Sequence, residues 1–181
     1  MSVFTNSLSN APEQAREYTA AILGLLGDRD PLDVLRTTPE RLRAAFAGVD
    51  ERELATPESP GKWSMRHVAR HLADSEIVWG WRLRLVLGQD RPRITGYDQD
   101  AWAAGLHYDT ADVGESIEEF TVMRRSNLRL LSQATPQDLT RVGVHSERGE
   151  ESVAHMIRMY AGHDLLHLQQ VARIHAAVAA R

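Results

Sequence analysis

Residues 63–88 read WSMRHVARHLADSEIVWGWRLRLVLG, and the fold turns on whether this stretch forms one helix or several pieces. Ser64 is a good N-cap, because its hydroxyl can accept from a backbone N–H one turn on. Gly88 is a good stop. Between them Val68, Leu72, Val78, Trp79 and Leu83 or Leu85 recur at helical spacing, with no run of strict alternation. The pattern predicts one long amphipathic helix over about 64–88. His71 lies beside its apolar stripe, with Asp74 and Ser75 one turn further on.

The same reading extends outward. Residues 12–27 form a helix with Tyr18, Ile22, Leu25 and Leu26 on one face, opened by Pro12 and ended by Gly27. DPLDVLRTTPERLRAAFAG (30–48) reads as one short helical turn followed by a second short helix that starts at Thr38-Pro39. TPESPGK (56–62) is loop, and YDQDAWAAGLHYD (97–109) belongs to a connection with one short helix. A third long helix covers about 111–134, with Ile117, Phe120, Val122, Leu128 and Leu131 as core candidates. RVGVHSERGEES (141–152) suits a small hairpin, and the last long helix covers about 152–179. Four long amphipathic helices with long irregular connections and short extra helices predict an all-α four-helix bundle, one domain over residues 1–181.

Bulk properties narrow the function. A net charge of −4 gives no reason to expect nucleic acid as a partner. No stretch reaches the roughly 18 apolar residues of a membrane-spanning helix, and MSVFTNSLSNAPEQ (1–14) shows no secretory signal, so a cytoplasmic protein without membrane partners is expected. With 0 cysteines there is no thiolate ligand and no cysteine nucleophile, so a bound metal would rest on His, Asp or Glu.

YAGHDLLHLQQVARIH (160–175) places His163 and His167 four residues apart on one helix face. The spacing alone decides little, since His67 and His71 repeat it. Phase adds more: both late histidines fall on or beside the stripe through Met156, Tyr160, Leu168 and Val171, which faces the interior. With His71 they offer three imidazoles from two facing helices, leaving coordination positions for water or substrate. The competing reading is three core-edge histidines bonded to carbonyls or carboxylates. His67, between Arg66 and Arg70, reads as an outer residue, and His107, His145, His155 and His175 as non-ligands. HDLLH differs from the zinc-protease pattern H-E-x-x-H, because Asp164 is a methylene shorter than the Glu that acts as base there.

GKWSMRHVARHLADSE, YDQDAWA and YAGHDLLHLQQVARI together resemble the DinB/YfiT-like superfamily of small bacterial four-helix proteins, over most of the chain from the loop before Trp63 to Ile174. The resemblance implies that His71, His163 and His167 hold one divalent metal ion, zinc or nickel, and that the protein is a homodimer acting on a small-molecule substrate. It implies a metal-dependent hydrolase or an S-transferase that uses an external low-molecular-weight thiol such as bacillithiol. Where some YfiT-like members carry a further His after the Asp-Ser of the first motif, this chain has Glu76.

Within that frame the attacking group is an activated water in a hydrolase and an external thiolate in a transferase. Asp74 and Asp164 are the candidates for orienting a histidine or relaying a proton, against the alternative of surface carboxylates. Tyr97 and Trp102, with Asp98, line the mouth or simply pack. Arg82 or Arg84 holds a substrate carboxylate, or belongs to a solvated helix end. A reading from a different class is a non-catalytic metal-binding module of a stress response.

Overall fold

The computed structural model describes residues 11–179; the segment read as free of a secretory signal lies largely outside them. Seven α-helices follow in order: α1 (Ala11–Leu26), α2 (Pro31–Phe46), α3 (Glu51–Ala55), α4 (Met65–Gly88), α5 (Gln99–Gly105), α6 (Val113–Leu131) and α7 (Val153–Ala179). Short strands β1 (Arg93–Ile94), β2 (Val142–His145) and β3 (Gly149–Ser152) form a small sheet in the order β1-β2-β3. The β2–β3 hairpin is where the turn-rich stretch predicts one, with Gly149 at φ 79. The parallel β1 pairing, Arg93 opposite Val144, is too short to leave an alternating pattern in the sequence.

The long helix α4 runs as its end signals dictate, with Ser64 Oγ accepting from the His67 N–H. It packs on α6 and α7, and α2 packs on the same two, so α2, α4, α6 and α7 close a four-helix ring. α1 lies outside the ring against α7. There the backbones meet closely, for a Cβ at Gly162 would stand 2.3 Å from the carbonyl oxygen of Ile22.

α2 corrects the expected split at Thr38-Pro39. The helix is continuous, with Pro39 inside it and its N-terminus capped by Asp30. Proline has no N–H for the carbonyl four residues earlier. That carbonyl, Leu35 O, accepts instead from Arg124 Nη1 of α6 at 2.9 Å. The lost helical bond is thus replaced by a buried tertiary one, and the helix survives. Val122 is a smaller correction: it is 45% exposed and lies off the stripe that buries Phe120 and Leu131.

Two large apolar clusters make up most of the core, beside a small third one of Ala69, Val113 and Ile117. One large cluster holds Leu35, Trp79, Leu83, Val153 and Met156; the other holds Leu42, Val68, Leu72, Phe120 and Ile174. Every helix of the ring passes from one cluster to the other through a polar or interrupted step. On α4 this step is Asp74-Ser75-Glu76, on α6 Arg124 and Asn127, on α7 His163-Asp164 with His167, and on α2 Thr38-Pro39. Ser75 with the imidazoles, and Glu76, Arg124, Asn127 and Asp164 with the Leu35 carbonyl of α2, form a layer of buried polar contacts at this level between the two large clusters. Each fully buried Leu or Val in the clusters contributes about 1.5–3 kcal/mol, which offsets the cost of desolvating the layer.

Candidate metal centre

His71, His163 and His167 are buried at 0%, 8% and 2% exposure, and they meet inside that layer. Nε2 of His163 lies 3.3 Å from Nε2 of His71 and 3.1 Å from Nε2 of His167. Nitrogens about 2.0–2.1 Å from one ion are about 3.3–3.4 Å apart in a tetrahedral shell and about 2.8–3.0 Å apart at right angles. Both separations fall at or between those values. One ligand atom from each of the three residues lies within 4.8 Å of the others, and among the described residues no fourth His, Asp or Glu joins the group.

The surroundings suit neutral, metal-accepting imidazoles. Burial holds the pKa of His71 and His163 well below the ordinary range, and neighbouring imidazoles add to the effect. Burial also lowers His167, to about 4, while the Gln170 bond and Asp164 pull the other way. His167 Nδ1 donates to Gln170 Oε1 at 2.8 Å, which leaves the Nε2 lone pair facing the other imidazoles. His71 Nδ1 is buried without a partner. Its Nε2 lies 3.2 Å from Ser75 Oγ, and Trp63 covers the ring at a centroid distance of 4.9 Å. A cation fits this donor set, since it would satisfy three converging lone pairs that water cannot reach freely.

The two candidate carboxylates are held by other groups. Asp74 accepts from Tyr108 Oη at 2.6 Å and from Arg70 Nη2 at 2.5 Å. Asp164 accepts from Arg124, whose Nη1 and Nη2 donate to it at 2.6 and 3.0 Å. Arg124 also donates through Nε and Nη2 to Glu76 at 3.0 and 2.8 Å, and it lies over the Phe120 ring at 4.5 Å. Burial would lower this guanidinium's pKa, but Asp164 and Glu76 outweigh burial and hold it above its ordinary value. Glu76, at the place of the further histidine of some YfiT-like proteins, is therefore a buried ion-pair partner.

Of the candidate substrate contacts, Tyr97 joins the centre through Ser75, whose Oγ is 3.1 Å from Tyr97 Oη. Trp102 packs on Tyr97 with ring centroids 4.4 Å apart. Arg82 points inward, is 7% exposed, and bonds Thr95 O at 2.8 Å and Tyr160 Oη at 3.5 Å. Arg84 turns to the outer face, where it donates to Gly80 O and Asn127 Oδ1. His67 sits beside the centre, half-buried, with Nδ1 2.9 Å from Ser64 Oγ. Arg124, Ser75 and Tyr160 were not legible as site residues. Gln170 was visible only as the end of H-x-x-x-H-x-x-Q, three positions after His167 and so on the same face.

Fold and site together define a small helical bundle with a buried three-imidazole centre. The chain belongs to the DinB superfamily, whose family model matches residues 35–171. Over 146 residues it is 28% identical to a Bacillus subtilis protein named "Putative metal-dependent hydrolase YfiT", covering 78% of this chain and 82% of that one. An Oceanobacillus iheyensis protein, also named a "Putative metal-dependent hydrolase", is 28% identical over 140 residues, 77% of this chain and 81% of that one. The solved structure of B. subtilis YfiT, described as "a probable metal-dependent hydrolase with an unusual four-helix bundle topology", matches with a TM-score of 0.75 at 25% identity. The match covers 90% of this chain and 86% of YfiT. No described helix is long and apolar enough to cross a membrane.

Proposed function

We propose that the chain is a metal-dependent hydrolase of a small-molecule substrate, with one divalent ion, zinc or nickel, on His71, His163 and His167. The observation that carries the reading is the convergence of three buried Nε2 atoms at 3.1 and 3.3 Å with, among the described residues, no fourth protein donor. An open shell of this kind belongs to catalytic rather than structural sites. A bound ion there supplies Lewis acidity, which makes a water or thiol nucleophilic at neutral pH. Gln170 fixes the tautomer of His167. Ser75 and Tyr97 present hydroxyls beside His71, where they can orient a substrate or pass on a proton. Asp74 acts as a positioning residue through Tyr108, and Asp164 through Arg124.

Transfer to an external thiol is the second reading, favoured by the lack of any cysteine in the chain. A non-catalytic metal-binding module is the alternative to both, a homodimeric assembly is proposed alongside, and each has its own measurement. Elemental analysis of the purified protein and of His71→Ala, His163→Ala and His167→Ala tests the centre. About one ion per chain in the parent and a clear loss in each variant are expected; no ion, or no loss, sinks the reading. Ester and amide panels are then compared with electrophiles plus thiols, and inactivity on both leaves the non-catalytic module. Sedimentation velocity reads the assembly, and a single monomeric boundary excludes the dimer.

A further inference from the structure

The end of the bundle beside the imidazoles gathers charge that the proposed centre does not use. Arg82 of α4 is 7% exposed, and its hydrogen bonds go to Thr95 O and Tyr160 Oη only. Among the described residues no carboxylate pairs with it. A buried guanidinium without a counter-charge is costly, and such groups are ordinarily paired. Nearby, Arg148 of the hairpin turn grips Glu151 through Nε at 2.5 Å and Nη2 at 3.0 Å, with Nη1 left over. Tyr18, Tyr97 and Tyr160 stand within electrostatic reach of Arg82, and Tyr18 and Tyr160 of Arg148 as well.

Two further observations point to a ligand. His145 is 2% exposed and its Nε2 has no partner, while Arg148, Arg82 and Glu151 are its charged neighbours. Burial, then Arg148 and Arg82, lowers its pKa to about 3, so it stays neutral and adds no charge. Burial raises all three phenols, Tyr97 to about 12, yet each keeps a half-buried surface. These phenols adjoin the centre, for the Tyr160 ring lies 6.0 Å from the His163 ring, and Ser75 links Tyr97 to His71.

We propose that Arg82 and Arg148, with the Tyr160 hydroxyl and His145 Nε2, form a subsite for one carboxylate of the reacting molecule. The charge of Arg148 is spent on Glu151, whereas Arg82 touches no carboxylate among the described residues, so a monoanion at Arg82 supplies the contact it lacks. Arg82 has unspent N–H donors, and a planar fork suits a carboxylate. The substrate class is then a small molecule with one carboxyl group, carried by the substrate itself or by a thiol co-substrate. Its place next to the reaction rests on the three-imidazole reading.

The test is calorimetric titration at constant ionic strength with propionate, inorganic phosphate and 3-mercaptopropionate, on metal-stripped and metal-loaded protein. Propionate is expected to bind the stripped protein saturably, and about tenfold more weakly to Arg82→Gln and to Arg148→Gln. Arg84→Gln should match the parent, and Arg82→Lys should fall between. Equal affinity in the parent and Arg82→Gln overturns the proposal. So does tighter binding of phosphate than of propionate, or propionate binding that requires the metal and ignores both arginines. Should Arg82→Gln fail to fold, Arg148→Gln carries the comparison. In loaded protein, 3-mercaptopropionate binding about tenfold tighter than propionate assigns the carboxylate to a thiol co-substrate, and equal binding assigns it to the substrate. His163→Ala separates the two readings: propionate binding that persists there stands even if the centre holds no metal.

Discussion

Gln170 shows how much one side chain decides in the centre. Its Oε1 accepts a hydrogen bond from His167 Nδ1–H at 2.8 Å, so the Nε2 lone pair is free before any ion arrives. Without it the imidazole can turn over or change tautomer. Gln170→Ala is expected to weaken metal binding by about 10–100-fold while leaving the fold intact, read by competition with a chromophoric chelator. Unchanged affinity would show that His167 is oriented by packing alone. Protons act on the same residue. Burial drops His167 from 6.5 to about 4, so between those values the unfolded chain binds a proton that the folded chain does not. Metal-free protein therefore has its full stability above about pH 6.5 and loses it as pH falls towards 4, at about 1.4 kcal/mol per pH unit for each such histidine. His71 and His163 shift in the same direction. Urea midpoints at pH 7 and pH 5 check the sign, and a midpoint that is flat or higher at pH 5 contradicts it.

At the level of helices, Arg124 joins the whole ring. From α6 it reaches Glu76 on α4, Asp164 on α7 and the Leu35 carbonyl on α2. Arg124→Ala leaves Asp164 and the Leu35 carbonyl buried without their donor and Glu76 with Asn127 Nδ2 alone, a loss of about 3–5 kcal/mol in urea unfolding. A change below about 1 kcal/mol would mean that water replaces the guanidinium. Gly162 controls a different pair, since any Cβ there meets the Ile22 backbone of α1. Gly162→Ala is expected to cost about 1–3 kcal/mol and to raise hydrogen exchange in α1, whereas unchanged exchange would place the strain elsewhere. These contacts also show what local sequence conveys. Ser64 marks the start of α4 because a cap acts within one turn, and Gly88 is the last helical residue before the extended Gln89. Thr38-Pro39 carries equally good local start signals and misleads, because the partner that replaces the missing proline bond lies 89 residues away. The ring was readable as four helices, but α2 takes the place that α1 was expected to hold.

Across the whole molecule, the polar layer separates what was legible from what was not. The three imidazoles were readable because each sits at helical spacing beside an apolar stripe, so helical phase alone turns it inward. The inward turn of Arg82, against the outward turn of Arg84 two residues on, was undecided by sequence because the tyrosines that meet it come from elsewhere in the chain. The layer also couples function to stability. His71 belongs to α4 and the other two imidazoles to α7, so a common ion would tie together elements that only the folded chain brings within reach. An ion that binds the native state alone stabilises it by about 4 kcal/mol at a thousandfold excess over its Kd. Zinc or nickel should therefore raise the unfolding temperature of stripped protein, a chelator should reverse the rise, and His71→Ala should abolish it. A rise that survives in His71→Ala would place the ion on α7 alone, where His163 and His167 bind it without drawing in α4.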